Sequence, residues 1–274
     1  MLKSALFGRK KTAATPFAEF YNNWFQTLSS TLLPQLRCAL SSLAAPPALL
    51  SIHVEAMHHH LQSYYNALDE AAAADVALCL CPDWRNSLEK PFLWLADLHP
   101  YLFTNLLRSF LNDQSSSSSS DADSSAGGDD QETQPWPVAA AWRSPSKVLT
   151  MRVDQIECGL RLMAPALAAR GREAQANLVR DVGAEWEGKE GVRAAVEAEM
   201  EELVGVVVDA NRLRRSVLAD VLSVTNVYQA ALFLEAVATF LVGFRDEDLL
   251  QEFEDCERPI NININININI NSTE

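Results

Sequence analysis

No stretch of the sequence is apolar for long enough to cross a membrane. The longest apolar window near the C-terminus, ALFLEAVATFLVGF, has 14 residues and includes Glu235, whereas a membrane-spanning helix needs ~20 residues. The apolar pieces at the N-terminus, MLKSALFGRKK, are too short for the core of a secretory signal. We therefore expect a soluble, cytoplasmic chain that attaches at most peripherally to a membrane surface.

Cysteine is scarce and irregularly spaced. The sequence has five cysteines, an odd number at scattered positions, which indicates free thiols in a reducing, intracellular compartment. Cys79 and Cys81 form a Cys-x-Cys pair, but no second cysteine or histidine pair follows at a spacing typical of zinc sites. Because Leu78 and Leu80 flank this pair, we interpret both cysteines as small buried apolar residues rather than as a metal or redox site.

Histidine is equally limited, and none follows His99. Three histidines are consecutive, His58 to His60, but successive residues on a helix point ~100° apart, so their imidazoles cannot converge on one ion. Glu55 and His59, at i and i+4, are the only geometrically sound pair. We interpret these residues as a solvated polar face and expect no metal and no other cofactor.

Recognisable catalytic motifs are also missing. The sequence contains no Gly-x-Ser-x-Gly, no His-Glu-x-x-His and no glycine loop that would cradle phosphate. A run of acidic residues is interpreted as the solvent face of a helix: Glu197, Glu199, Glu201 and Glu202. We therefore predict that the protein is not an enzyme.

Positive charge is deficient in the second half of the chain. Residues 1–112 carry eight Lys/Arg and eight Asp/Glu, whereas residues 113–274 carry 14 and 28, which accounts for the whole net charge of −14. Such acidity repels nucleic-acid phosphate, so direct binding of DNA or RNA is not expected.

What the sequence has in abundance is helical periodicity. After the helix-start signal Thr15-Pro16, apolar residues form one stripe: Phe17, Phe20, Tyr21, Trp24, Phe25 and Leu28. Pro34 interrupts the pattern that follows. Further helices are predicted over about 50–68, 69–79, 147–163, 192–210 and 233–244, with Pro165 or Gly171 ending or kinking the third of these. No segment outside the C-terminal tail makes a convincing strand, so the predicted fold is an all-α multi-helix bundle.

Prolines divide the aromatic-rich segment around residues 81–111. Pro91 suits the first turn of a helix that carries Phe92 and Leu95, and Pro100 disfavours helix at His99. A new apolar stripe starts at Pro100. We therefore predict two short helices joined by a bend.

Composition separates two segments from the helical body. Residues 113–145 are rich in Ser, Asp and Gly, so we predict a long disordered linker, either a solvated spacer or a target of an acid-directed kinase. Residues 246–274 form an acidic tail that ends in an Asn-Ile repeat, which we interpret as disordered with some tendency to β-aggregation. The helical halves are thus predicted at 16–112 and 146–245.

The N-terminal segment, residues 1–15, is basic and partly apolar. Its cations, Lys3, Arg9, Lys10 and Lys11, lie among Leu2, Leu6 and Phe7, with no acidic residue before Glu19. Each basic side chain gains ~1 kcal/mol near an anionic leaflet, so the segment predicts weak, reversible binding to an anionic lipid surface. An ordinary flexible N-terminus remains the alternative interpretation.

Four segments together resemble the plant delay-of-germination domain, an all-helical domain of seed-dormancy regulators that also occurs in TGA-type transcription factors. They are FAEFYNNWF, HLQSYYNALDEAAAADV, CPDWRNSLEKPFLWLADLHP and LRRSVLADVLSVTNVYQAALFLEAV. The resemblance implies a structural role for these positions of the family motif: Trp24, Tyr64, Trp84, Ser87, Glu89, Phe92, Trp94 and Pro100. No basic region and leucine zipper precede them, and the opening residues are similar to the inaperturate-pollen branch of this family.

The resemblance implies a non-enzymatic factor required for pollen apertures, the gaps in the exine wall. Members of that branch organise plasma-membrane domains of microspores, where they prevent exine deposition. We therefore expect protein partners at the plasma membrane, such as a receptor kinase or a cytoskeletal or membrane adaptor, and we expect self-association. The alternative is a soluble regulatory module that binds a phosphatase or a transcription factor, as dormancy regulators do.

Overall fold

Helices make up most of the structure, a computed structural model that describes residues 16–42, 46–116, 136–184 and 188–256. This confirms the predicted all-α class. The helices are α1 (Pro16–Thr27), α2 (Leu33–Ser41), α3 (Pro47–Leu80), α4 (Tyr101–Ser116), α5 (Trp136–Ala140), α6 (Lys147–Ala184), α7 (Lys189–Val224), α8 (Val227–Gly243) and α9 (Glu247–Cys256).

A widened turn joins α1 to α2 where the sequence pattern breaks at Pro34. Leu28–Leu32 is π-helical, and the N–H of Leu33 donates to the carbonyl oxygen of Leu28, five residues earlier. Proline has no N–H for the usual bond to the carbonyl four residues earlier. The helical path therefore continues past Pro34 through a π-helical turn instead of ending there.

Helix α3 corrects the prediction of two separate helices. The ranges 50–68 and 69–79 form one element of 34 residues, and its only non-helical backbone angles lie at Asp75 (φ −156°, ψ 87°). The Asp75 carboxylate accepts the N–H of Leu78 at 2.9 Å, as an N-cap does at the start of a helix. The break therefore lies at Asp75 rather than at residue 69.

The prediction of a helix after Pro91 is wrong. Lys90–Phe92 forms one 3₁₀ turn, and β1 (Leu93–Trp94) pairs antiparallel with β2 (Asp97–Leu98), so a short hairpin stands where we expected no strand. The turn residues Leu95 and Ala96 have φ of 47° and 74°, a region that side chains rarely adopt. Contacts from a distant helix hold this hairpin, and local periodicity carries no signal of them. The helix predicted from Pro100 is confirmed as α4.

The long helices α6 and α7 pack against each other as an antiparallel pair. Neither Pro165 nor Gly171 ends α6, which continues to Ala184. The neighbours of Pro165 on the inner face, Ala164 and Leu167, are buried, and their packing offsets the ~3 kcal/mol that an interior proline costs. Helix α7 begins at Lys189.

Helix α8 is the most apolar helix and lies in the core. Asn226 accepts the N–H groups of Tyr228 and Gln229, and the Gln229 side chain accepts the N–H of Asn226, which completes a capping box. None of the helices in the described ranges is, by itself, long and apolar enough to span a membrane; α8 and α9 reach the threshold only when taken together, with a bend of 54° between them.

One hydrophobic core contains residues from both predicted helical halves. The stripe of α1 is buried except for the half-buried Phe20. It packs with α3, α7 and α8, whose largest fully buried apolar residues include Leu68, Leu218 and Phe233. The two halves therefore share their buried surface.

Both segments that we predicted to be disordered contain helical residues, and residues 113–116 of the predicted linker belong to α4. Within 113–145, α5 is helical and Val138 and Trp142 are buried, because they pack into the core. At the start of 246–274, α9 is a helix whose Glu254 accepts a hydrogen bond from Ser87. The remainder of the linker, residues 117–135, and residues 257–274 lie outside the described residues.

Candidate functional site

A buried polar cluster lies where α1, α3 and the 81–100 segment meet. We call it the Arg85 cluster and define it by Tyr21, Tyr64, Arg85, Glu89 and Asp97. The three charged side chains are at most 5% exposed. Charges buried to this extent are tolerated in proteins only when they are paired and hydrogen-bonded, so the partners of each group decide what the cluster can do.

Arg85 joins three segments of the chain. One terminal nitrogen, Nη2, lies 2.6 Å from Asp97 Oδ1 and donates to the Tyr64 hydroxyl at 2.5 Å. The other, Nη1, donates to the Tyr21 hydroxyl at 3.0 Å. The Tyr64 hydroxyl in turn donates to Asp97 at 3.1 Å. One guanidinium therefore fixes α1 and α3 against the hairpin.

Glu89 is the less well compensated acid of the cluster. It accepts the Tyr21 hydroxyl proton at 3.1 Å, but Arg85 Nε lies 3.7 Å from Glu89 Oε2, beyond hydrogen-bonding distance. Neither of these two atoms has a hydrogen-bond partner among the described residues. Burial raises the pKa of Glu89, and the attraction of Arg85 only partly opposes this effect. Folding therefore favours the protonated form of this carboxyl group.

The tyrosine hydroxyls of this region remain protonated. Burial raises the pKa values of Tyr21, Tyr64 and the neighbouring Tyr65 above the ordinary value, and the positive charge of Arg85 only partly opposes it. These hydroxyls act as hydrogen-bond relays between the cation and the acids. The arrangement stabilises one packing of the segments and offers no activated base or nucleophile.

Arg245, just after α8, closes the cluster from the outside. Its guanidinium carbon lies 4.5 Å from the centre of the Phe25 ring, and its Nε is 3.9 Å from Glu89 Oε1. It also lies 5.4 Å from the Tyr21 ring. The end of α8 is thereby joined to α1, about 220 residues earlier in the sequence.

A second buried cation, Arg214 of α7, holds the hairpin. Its side chain is 0% exposed, and it donates to the carbonyl oxygens of Leu98 at 2.8 Å, Asp97 at 3.1 Å and Leu95 at 3.2 Å, as well as to that of Trp94. These bonds satisfy the carbonyl groups around the turn with positive φ. Arg214 thus explains why the hairpin exists.

The consecutive histidines do not all face solvent, which corrects our interpretation. His60 is half-buried and stacks on Trp24, with ring centres 4.9 Å apart and planes 3° from parallel. Trp24 Nε1 donates to the His60 carbonyl at 2.9 Å, and His60 Nε2 lies 3.0 Å from the Trp24 carbonyl oxygen. Burial lowers the pKa of His60. His60 therefore locks α1 to α3.

The other residues of the family motif surround these two cations. Trp84 packs edge-on against Phe17 at 5.1 Å, and Phe92 contacts Phe244 at 5.3 Å. Trp94 lies over Arg214, with 5.3 Å between the guanidinium carbon and the ring centre. Pro100 is buried at the start of α4. The motif thus marks a packing centre, which joins distant parts of the chain.

Two further interpretations need partial correction. Cys79 is buried, and burial raises the pKa of its thiol to about 11, but Cys81 is exposed at the end of α3. Among the acidic residues of α7, Glu199 is buried, and Glu202 binds Arg170 at 2.5 Å across the α6–α7 pair. Glu199 and Glu202 depart from the predicted solvent face because α6 covers one side of α7.

The predicted membrane-binding residues, Lys3, Arg9, Lys10 and Lys11, lie outside the described residues. Within the described ranges, no group of three or more His, Cys, Asp or Glu side chains is placed to hold a metal ion.

An open apolar groove of about 450 Å³ runs between the start of α1 and the second half of α3. Its lining is mostly apolar, with Phe17, Phe20 and Trp84 among its residues, and it also includes Glu70 and Asp75. A groove of this size and composition accommodates apolar side chains of another segment. It begins at Pro16, where the described part of the chain begins.

Comparison with known proteins identifies relatives along nearly the whole chain. The chain is 45% identical over 279 residues to Protein INAPERTURATE POLLEN1 of Arabidopsis thaliana, and this match covers 93% of the chain and 98% of that protein. It is 37% identical over 250 residues to Protein INAPERTURATE POLLEN 1 homolog of Oryza sativa subsp. japonica, covering 89% and 90%.

A second set of matches covers less of the chain. Residues 32–109 match the family described as Seed dormancy control (DOG1). A further 104-residue match, at 29% identity, covers 38% of this chain and 28% of Transcription factor TGA7 of Arabidopsis thaliana. The dormancy-family match includes Tyr64, Arg85, Glu89 and Asp97 of the Arg85 cluster.

Proposed function

Because the chain belongs to the inaperturate pollen protein family, we propose that it is a non-enzymatic factor in pollen aperture formation. It marks or organises domains of the microspore plasma membrane, so that exine is not deposited over them. The observation that carries this proposal is the near-complete coverage of two relatives whose names refer to inaperturate pollen.

The Arg85 cluster supports a non-catalytic role. Its cation, Arg85, is bound by side chains of the same chain, and its tyrosine hydroxyls are held protonated by burial. Such a centre stabilises the shape of the bundle. The surfaces of the bundle are then available to partners at the plasma membrane, such as a receptor kinase or an adaptor of the cytoskeleton or membrane.

Loss of the gene in the source plant tests this role directly. We expect pollen without apertures, with exine continuous over the sites where apertures otherwise form. Re-expression of the chain should restore apertures, and so should a variant that lacks the exposed thiol, Cys256→Ser, which serves as a control. Normal apertures in plants that lack the protein would contradict the proposal.

We propose that four N-terminal cations recruit the protein to the membrane: Lys3, Arg9, Lys10 and Lys11. Four basic side chains at ~1 kcal/mol each give a reversible attachment, which salt weakens. We expect the full chain to sediment with vesicles of phosphatidylcholine containing phosphatidylserine but not with phosphatidylcholine alone, and to dissociate as salt is raised.

Replacement of those four residues by Glu should abolish sedimentation with the anionic vesicles. A matched control carries the same change at four exposed cations elsewhere: Lys90, Lys147, Arg172 and Lys189. Both variants change the net charge equally, so loss of binding in both would indicate general repulsion. Unchanged binding of the N-terminal variant would remove this mechanism and leave the role in aperture formation untouched.

The match of residues 32–109 to the dormancy family favours a second candidate, a soluble regulatory module that binds a phosphatase or a transcription factor. It covers less than a third of the chain, whereas the inaperturate pollen relatives cover about nine-tenths. Accumulation of the protein in microspore nuclei would favour this second candidate.

A further inference from the structure

The outward face of α6 between residues 148 and 169 carries large apolar side chains that the core does not use. Val148 is 72% exposed, Met151 62% and Leu162 70%. The opposite face of the same helix contacts the core through Leu149 and Val153, which are fully buried. Several large apolar side chains exposed on one side of a helix mark a contact surface for another molecule.

The spacing of this face is that of a helix–helix seam. Its outward positions alternate at intervals of three and four residues: Val148, Met151, Gln155, Cys158 and Leu162. This is the repeat by which two helices pack side by side. All five positions are uncharged, and all are exposed, so the seam needs no charge to be desolvated when it is covered.

Gly159 lies beside the seam and supports a close approach of a second helix. A glycine inside a helix costs ~1 kcal/mol relative to alanine. Within the described part of the chain, a Cβ at this position would have no neighbour within 4 Å. The fold itself therefore does not require glycine there, whereas a packed partner helix benefits from the space.

Charges along the edge indicate that the partner is a second copy, running antiparallel. Asp154 and Arg161 lie on the same side of the seam, seven residues apart. An antiparallel twofold pairing brings Asp154 of each copy opposite Arg161 of the other, which forms two ion pairs. A parallel pairing would instead bring Lys147 of one copy against Arg152 of the other. Asp154 remains 58% exposed although it contacts Arg108.

We propose that the outward face of α6 forms an antiparallel homodimer, with Met151 of one copy packed against Leu162 of the other. This goes beyond the proposed function, and its outcome is independent of it. A dimer gives a membrane-bound protein two basic N-terminal segments, so weak contacts act together.

Analytical ultracentrifugation of the purified full chain tests the proposal. We expect a dimer at micromolar concentrations, and we expect Met151→Glu with Leu162→Glu to raise its dissociation constant by at least ~100-fold. The matched control, Ile52→Glu with Val179→Glu, changes two equally exposed apolar residues away from the seam and should leave the constant unchanged. A wild-type monomer up to 100-fold above that range, or equal effects of the two variants, would overturn the proposal.

Charge reversal tests the orientation and does not depend on the glutamate variant folding. Arg161→Asp places two acids opposite each other at both ends of the seam and should weaken the dimer by about tenfold. Adding Asp154→Arg to it should restore most of the lost affinity. No effect of Arg161→Asp, or no recovery in the double variant, would overturn the antiparallel arrangement. Circular dichroism confirms that each variant is folded.

Discussion

Replacement of Arg214, the buried cation of α7 that holds the hairpin, by methionine should destabilise the fold strongly. The guanidinium donates to four backbone carbonyl groups, those of Trp94, Leu95, Asp97 and Leu98. Methionine fills a similar volume but donates no hydrogen bond. The carbonyl groups then lose their partners in a region that excludes water, because Arg214 is 0% exposed.

The magnitude follows from the number and kind of bonds lost. A hydrogen bond from a charged donor is worth ~1.5–3 kcal/mol, and neighbouring bonds of one group are not additive. Opening of the hairpin to water recovers part of the loss, so we expect the free energy of unfolding to fall by ~4 kcal/mol. This is a large fraction of the ~5–15 kcal/mol that stabilises an ordinary domain.

Urea unfolding followed by circular dichroism measures this loss. The nearby Arg212→Met is a matched control, because the Arg212 side chain is 70% exposed and pairs with Asp209 on the same helix, and exposed pairs contribute ~0–1 kcal/mol. If the unfolding free energies of the two variants differ by less than ~1 kcal/mol, the hairpin does not depend on Arg214, and our explanation of the fold in this region is wrong.

Two further predictions concern the Arg85 cluster. Arg85→Met leaves two buried acids without their cation and should cost ~3–5 kcal/mol in urea unfolding, whereas Arg143→Met, at an exposed arginine over Trp136, should cost less than ~1 kcal/mol. Glu89→Gln tests the raised pKa: a raised folded-state pKa adds stability below the unfolded pKa and loses it as the pH rises through the folded pKa. The wild type should therefore gain stability relative to Glu89→Gln when unfolding is measured at pH 4 rather than pH 7, and a relative loss would show that Arg85 and Arg245 outweigh burial.

Periodicity was sufficient to predict the helical class because each helix buries one stripe. The stripe of α1, with Trp24 and Phe25, and the start of α4 after Pro100 were both predicted from spacing alone. Periodicity did not reveal that α3 continues past residue 69, because its alanine-rich second half carries no strong apolar stripe. It also did not reveal the break at Asp75, whose carboxylate accepts the N–H of Leu78.

The hairpin could not be predicted from local sequence. Leu95 and Ala96 adopt positive φ without glycine, and the group that holds them, Arg214, lies about 120 residues further along the chain. The buried cations were missed for a related reason. Arginine is usually exposed, and Arg85 stands among polar residues such as Asp83 and Asn86. The neighbouring Trp84 is the one local signal that could have identified it.

The resemblance implied a structural role for the family motif, but the contacts that its residues make became visible only in the structure. Glu89, Trp94 and Pro100 were selected as positions of resemblance, and the structure places them around Arg85 and Arg214 as parts of a packing centre. The sequence gives no measure of burial for a carboxyl group. The coupling of Glu89 to Tyr21, from α1, therefore became visible only in three dimensions.

Live imaging of a fluorescently tagged chain in tetrad-stage microspores is the most direct test of the proposed role. Our account predicts fluorescent patches at the plasma membrane where apertures will form, and a loss of these patches when Lys3, Arg9, Lys10 and Lys11 are replaced by Glu. Fluorescence confined to the nucleus, or spread evenly through the cytoplasm at every stage, would contradict it.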